Sequence, residues 1–194
     1  MPRIFTALVP PDEAIADLDA FLDPRRDAVA ELRWSPIGQV HLTLAFVADI
    51  EDWRLDDLLE GTASAAARRR LGSVAIAGGG AFPDVDRAKV LWAGLDLDPA
   101  SADELDLLAA GCRTAAARAG AAPDGARFRP HLTVARSGRP RGVLALVRVL
   151  DAYRGPAWTP ADVVVLASHL GEGPRGGARH EELARFPLGG AGRV

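Results

Sequence analysis

The chain has 194 residues, enough for one globular domain or two small lobes sharing a core, and its 48% hydrophobic content promises a real interior. With 23 basic against 26 acidic side chains the formal net charge is −3, which argues against a protein that holds long nucleic acid by bulk electrostatics. Cys112 is the only cysteine, so an internal disulfide and a thiolate zinc cluster are excluded as well.

Residues 3–9 read as a buried strand that Pro10 and Pro11 stop, and residues 12–22 follow as a helix that Pro24 is expected to break. This opening has no signal-peptide layout, and nowhere does an apolar run approach the ~18 residues of a membrane span, so a soluble, cytoplasmic protein is expected. After a short extended piece and a turn around Pro36 and Gly38, residues 40–47 form a strand. Trp53, Leu55, Leu58 and Leu59 start an amphipathic helix that ends in the cations Arg68 to Arg70. Residues 73–82 and 88–97 are strands joined by a loop, and residues 101–120 are a helix with Ser101 as its N-cap. A turn-rich stretch at 119–126 leads to a strand over 127–136. A helix over 142–154, a strand over 162–170 and a last strand or arm over 178–188 complete the chain. This order, with hairpin-like pairs in each half, indicates an α+β fold.

The tetrapeptide His41-Leu42-Thr43-Leu44 returns as His131-Leu132-Thr133-Val134, so two of the four histidines belong to a repeat. Each copy follows a basic-aromatic-Pro approach, Arg33-Trp34-Ser35-Pro36 or Arg127-Phe128-Arg129-Pro130, which suggests a duplicated lobe and a single bilobal domain over 1–194. Residues two apart on a strand share a face, so each motif delivers one imidazole and one hydroxyl to the same place. Two such motifs meeting across a cleft suit phosphoryl chemistry without metal. A neutral imidazole takes a proton from the attacking oxygen, a protonated one gives a proton to the departing oxygen, and the hydroxyls hold the non-bridging oxygens. Histidine, with an unperturbed pKa of about 6.5, supplies both forms near neutrality. A metal site fits less well, because neutral threonines are poor ligands and neither motif holds a carboxylate.

These residues resemble the two-histidine phosphoesterases, and specifically the LigT-like RNA 2′,3′-cyclic phosphodiesterases, along nearly the whole chain. The resemblance rests on "RIFTALVPP", "RWSPIGQVHLTLAFV", "GAFPDVDRAKVLWAGL", "RFRPHLTVAR" and "LASHLGEGPRGGARHEELARFPL". It implies a bilobal fold in which two antiparallel sheets face a central cleft with the helices outside. It also implies no metal or other cofactor, and hydrolysis of a terminal 2′,3′-cyclic phosphate to a 2′-phosphate. The implied partners are RNA ends or small nucleotides bearing that group, with no membrane, and the protein is expected to be a monomer. His41 and His131 become the acid-base pair, the first serving the leaving 3′-oxygen and the second activating water. Thr43, Thr133 and Arg136 become phosphate-binding groups. Strict strand alternation would aim Arg136 away from Thr133, so its assignment requires a bulge or a strand end. His180 stands where the family often has a tyrosine.

The same groups could join RNA ends through a 2′-5′ linkage or open another cyclic phosphate, such as an ADP-ribose derivative; a non-catalytic RNA-end binding module and a purely structural repeat are the rivals from other classes. "GEGPRG" at 171–176 matches a dinucleotide-binding glycine pattern only literally, because no βαβ unit follows, and it is read as a loop near the cleft mouth. Gly78 to Gly80 lack the Gly-Lys-Ser/Thr of a phosphate loop. His169 is read as a strand-end residue, Cys112 as buried and inert, and Trp34, Trp92, Trp158, Phe5 and Phe46 as packing, although an aromatic near the cleft would be a natural nucleobase shelf.

Overall fold

The computed structural model describes residues 3–29, 31–47, 50–121, 127–173 and 176–189. In chain order the elements are β1 (Arg3–Leu8), α1 (Asp12–Arg26), β2 (Arg33–Trp34), β3 (Leu42–Val47), α2 (Leu55–Ala67), β4 (Val74–Phe82) and β5 (Ala88–Leu97). Then come α3 (Pro99–Arg118), β6 (Leu132–Arg141), α4 (Leu144–Asp151), β7 (Arg154–Trp158), β8 (Asp162–Leu170) and β9 (Ala178–Pro187). Every ladder is antiparallel, and the strands run in the order β7-β4-β5-β6-β3-β1-β8-β9, with β2 beside β6.

Two four-stranded halves are therefore joined edge to edge, and the join is a single residue pair, Leu42 with Leu132. The half β7-β4-β5-β6 is covered by α1 and α4, whose Leu18, Leu22, Val147 and Leu150 pack on Leu91, Leu132 and Val134. The half β3-β1-β8-β9 is covered by α2 and α3, through Leu58, Ala65, Leu105, Leu108 and Cys112 against Leu42, Leu44, Val163 and Val165. The half β7-β4-β5-β6 draws its strands from one stretch of chain, whereas β1 and β3 find their remaining partners in β8 and β9, at the other end of the sequence. Burying Leu18, Leu58 and Leu108 completely is worth roughly 1.5–3 kcal/mol for each side chain.

Helices α2 and α3 meet at a pair of glycines. A β-carbon on Gly61 of α2 would lie 2.7 Å from that of Ala115, and one on Gly111 of α3 would lie 2.9 Å from that of Ala65. Both helices hence approach more closely than any larger side chain permits.

Local differences from the sequence expectations have physical causes. Helix α1 continues through Pro24 to Arg26, because a proline in the last turn forfeits one amide donor, while the Arg25 guanidinium donates to the Phe21 carbonyl and Arg26 pairs with Asp19. Helix α3 starts at Pro99, and its N-cap is Asp98 instead of Ser101. The Asp98 carboxylate accepts from the Ser101 amide at 2.9 Å and from the Ser101 hydroxyl at 2.7 Å. Helix α4 is confined to Leu144–Asp151, and β7 follows as a strand that the sequence did not announce, since Pro156 argues against one; it lies at a sheet edge, where proline is tolerated. The turn-rich reading at 119–126 falls mostly outside the described residues. Among the described residues no helix is long and apolar enough to cross a membrane.

Candidate active site

The seam between the halves positions the repeat. Leu42 faces Leu132 in an antiparallel pair, so by the same count His41 stands opposite Thr133 and Thr43 opposite His131. Each imidazole precedes its strand by one residue, and each lies across from the hydroxyl of the other motif. Leu42 and Leu132 point to the opposite face, where with Leu8, Leu95 and Trp158 they line an apolar recess behind the seam. That recess is packing between the halves and is separated from the imidazoles by the sheet.

Matched bulges follow the two motifs. In the β1–β3 ladder Thr6 pairs with Ala45 and Ala7 with Thr43, leaving Leu44 as the extra residue. In the β5–β6 ladder Leu91 pairs with Ala135 and Trp92 with Thr133, leaving Val134 extra. Val90 pairs with Arg136, and Val90 and Trp92 share a face, so Arg136 shares the face of Thr133 although three residues separate them. The bulge supplies the re-aiming that strict alternation denies. By the same geometry Phe46 shares the face of Thr43, since its partner Phe5 and Thr43's partner Ala7 are two apart. The exposure pattern over 42–47 repeats over 132–137: buried, intermediate, buried, buried, exposed, buried.

Both imidazoles are held in one tautomer. Nδ1 of His41 lies 2.7 Å from the Gln39 carbonyl, and Nδ1 of His131 lies 2.7 Å from the Arg129 carbonyl. A carbonyl only accepts, so each Nδ1 carries the hydrogen, and Nε2 is left to take or give a proton.

The rings rest on aromatic supports. Phe5, itself buried, stacks on His41 with centroids 4.6 Å apart, and His180 meets His41 edge-on at 5.2 Å and Phe5 at 5.0 Å. His131 meets Phe82 edge-on at 4.9 Å and Trp92 at 6.1 Å. The Trp92 indole can lie along the sheet because Gly80 is beneath it: a β-carbon there would sit 2.1 Å from a ring carbon. Trp92 and Phe5, read from sequence as packing, therefore support the site directly, and Phe46 is 42% exposed on its face instead of packed.

Burial is the main electrostatic influence. It pushes the His41 imidazole down to about 4, against the help of the Gln39 carbonyl, and the charges of His180, Arg136 and His131 push the same way. His131 is lowered by burial and by Arg136, and His180 by burial. Arg136 is itself lowered, first by desolvation and then by the Arg33 cation. One arginine thus acts on both imidazoles, and at neutral pH the site presents uncharged rings beside a guanidinium, which favours an incoming anion.

His180 lies with His41 in this site, a proximity that β8–β9 pairing creates and that no local spacing announces. His169 does not: it sits near the end of β8, 3.0 Å from Glu181, in an ion cluster with Glu172 and Arg179. The "GEGPRG" segment is the connection from β8 to β9, with Pro174 and Arg175 outside the described residues, and a strand follows it, so no helix stands where a dinucleotide site needs one. Among the described residues no group of three or more His, Cys, Asp or Glu side chains is placed to hold a metal ion.

A curled antiparallel sheet that brings two His-x-Thr motifs face to face defines the two-histidine phosphoesterase class. A family model described as the 2′-5′ RNA ligase superfamily matches residues 10–173, and the chain belongs to that superfamily. It is 25% identical over 193 residues to an RNA 2′,3′-cyclic phosphodiesterase of Geobacillus stearothermophilus, covering 96% of this chain and 57% of the relative. A protein of the same description from Aeropyrum pernix is 31% identical over 110 residues, 57% of this chain and 60% of the relative. The chain thus spans less than two thirds of the length of these relatives. Among solved structures it is similar to Escherichia coli LigT complexed with 3′-AMP, at 22% identity and a TM-score of 0.74, covering 96% of this chain and 98% of that one. A Thermus thermophilus protein matches at 24% identity and a TM-score of 0.72, covering 97% and 98%. These structural likenesses show the fold.

Proposed function

We propose that this single domain of two related lobes hydrolyses 2′,3′-cyclic phosphate termini of RNA or small nucleotides to 2′-phosphates, without metal. The carrying observation is the crossed arrangement of two imidazoles and two hydroxyls, with both Nε2 atoms left free by the same carbonyl bond. Nε2 of His131 takes a proton from water as its oxygen bonds to phosphorus. The bond from phosphorus to the 3′-oxygen breaks, and Nε2 of His41 delivers a proton to that oxygen. Thr43, Thr133 and Arg136 donate to the non-bridging oxygens, where charge must be held. A phosphodiester anion between the rings opposes the burial that depresses them, so binding itself brings the proton to His41. Phe46 offers the exposed aromatic face for a base. The names of the relatives support the substrate class.

The test is turnover of a short RNA ending in a 2′,3′-cyclic phosphate by protein in excess EDTA, with identification of the product isomer. His41→Ala and His131→Ala are each expected to lower kcat by about 10²–10⁴-fold with the fold retained. The profile of kcat/KM against pH is expected to be bell-shaped, centred below the ordinary histidine value, because the free site depresses both rings. Unchanged turnover in either variant removes that imidazole from the mechanism. Ligation uses the same displacement with an RNA 5′-hydroxyl in place of water, the bond from phosphorus to the 3′-oxygen breaking as before, and adding an RNA with a free 5′-hydroxyl to the assay reads it directly.

A further inference from the structure

Strand β2 is two residues long, yet it places a second arginine beside the first. Arg33 pairs directly with Arg136 and Trp34 with Ala135, in antiparallel register. The Ser35 amide, 2.9 Å from the Val134 carbonyl, ties β2 to the bulged residue that re-aims Arg136. Trp34 packs on the core from the other face, which fixes Arg33 to the face of Arg136 and Thr133. Side chains directly opposite in such a pair have β-carbons about 4.5–5.5 Å apart, and like charges there destabilise the sheet.

Four other arginines of the sheet are neutralised, while among the described residues Arg3 and Arg139 make no ion pair. Arg141 pairs with Glu31, Arg154 with Asp96, Arg179 with Glu172 and Arg185 with Glu182. Among the described residues neither Arg33 nor Arg136 has a carboxylate within ion-pair distance. Both are exposed, and the Arg136 guanidinium is lowered first by desolvation and then by the Arg33 cation that stands directly opposite it on β2. The sheet does not need a cation at this position, because the matching bulge of β3 carries Phe46 there. Arg136 acts on both imidazoles, whereas Arg33 acts on neither and lies one strand further out.

We infer that Arg33 and Arg136 form a two-arginine track in which Arg136 holds the reacting phosphate and Arg33 holds a second phosphate on the 5′ side of the terminal ribose. The inference rests on the cyclic phosphodiesterase reading and narrows its substrate to ends that carry a 5′-phosphate or continue as RNA. A single cyclic phosphate leaves one of the two cations without a partner; two phosphates relieve the pair.

The experiment compares three substrates: a nucleoside 2′,3′-cyclic phosphate with a free 5′-hydroxyl, the same compound with a 5′-phosphate, and a dinucleotide ending in the cyclic phosphate. The wild-type protein is expected to show kcat/KM at least about tenfold higher for one or both of the two-phosphate substrates, and which of them separates a terminal monophosphate from a chain diester. Arg33→Gln is expected to remove that advantage while leaving the one-phosphate substrate within about twofold. Equal loss on all three, or no loss on any, overturns the inference. Should folded wild-type protein turn over none of them, the hydrolytic reading fails, and calorimetric binding of a nucleoside 2′-phosphate and a nucleoside 2′,5′-bisphosphate decides the track by itself. Tighter binding of the bisphosphate that Arg33→Gln abolishes sustains the track; equal binding overturns it.

Discussion

At the scale of the residue, the site is set by what each imidazole lacks. His41 is half enclosed by Phe5 and His180, and its Nδ1 is committed to the Gln39 carbonyl, so one nitrogen remains and water around it is scarce. The folded ring takes its proton only near pH 4, whereas an unfolded chain takes it near 6.5, so between those values the unfolded state binds more protons. Stability from His41 is therefore intact above pH 6.5 and falls as the pH drops towards 4, by roughly 3 kcal/mol in all. His131 and His180 are lowered too and act with the same sign. His41→Gln cannot take the proton, and its urea midpoint is expected to fall less than that of wild type between pH 7.5 and pH 4.5; an equal fall would show that the ring charges freely in the fold.

At the scale of the element, small residues decide how closely things approach. Replacing Gly61 with alanine raises helix propensity by about 1 kcal/mol, but the new methyl would meet the Ala115 methyl and backbone between two packed helices. Overpacking costs about 1–3 kcal/mol and outweighs the gain, so Gly61→Ala is expected to lower the melting temperature, whereas an increase would mean that α2 and α3 separate freely. Such limits explain what the sequence reveals about each element. The motif strands were legible because apolar alternation and the repeated His-x-Thr announce them. Their bulges were not: Leu44 and Val134 are ordinary strand residues, and only the pairing of β1 with β3 and β5 with β6 shows that one residue is extra. Arg136 therefore entered the site by resemblance, and the ladder supplies the geometry. The seat of Trp92 was hidden for a similar reason, since Gly80 means nothing until the indole lies over it.

At the scale of the whole molecule, strands β4 to β7 are inserted in the chain between β3 and β8, and the two halves of the sheet pair through Leu42 and Leu132, so the half β3-β1-β8-β9 cannot be built without both ends of the chain. The sequence repeat pointed to two related motifs, but their assembly depends on β8 and β9 returning to β1, a long-range pairing no window records. The matched bulges then carry different side chains, an aromatic at Phe46 and a cation at Arg136. A site with true twofold symmetry would seat a cyclic diester either way round and release two isomers in equal amounts. This one has a head and a tail. On the proposed chemistry the same histidine always faces the 3′-oxygen, and a single regioisomer leaves. Exchanging the two side chains in the double variant Phe46→Arg with Arg136→Phe is expected to move product from the 2′-phosphate towards the 3′-phosphate, read by phosphorus NMR; an unchanged isomer would place the sense of direction elsewhere. Direction, in a fold that sets two like motifs face to face, resides where their side chains differ, Phe46 and Arg136 among them.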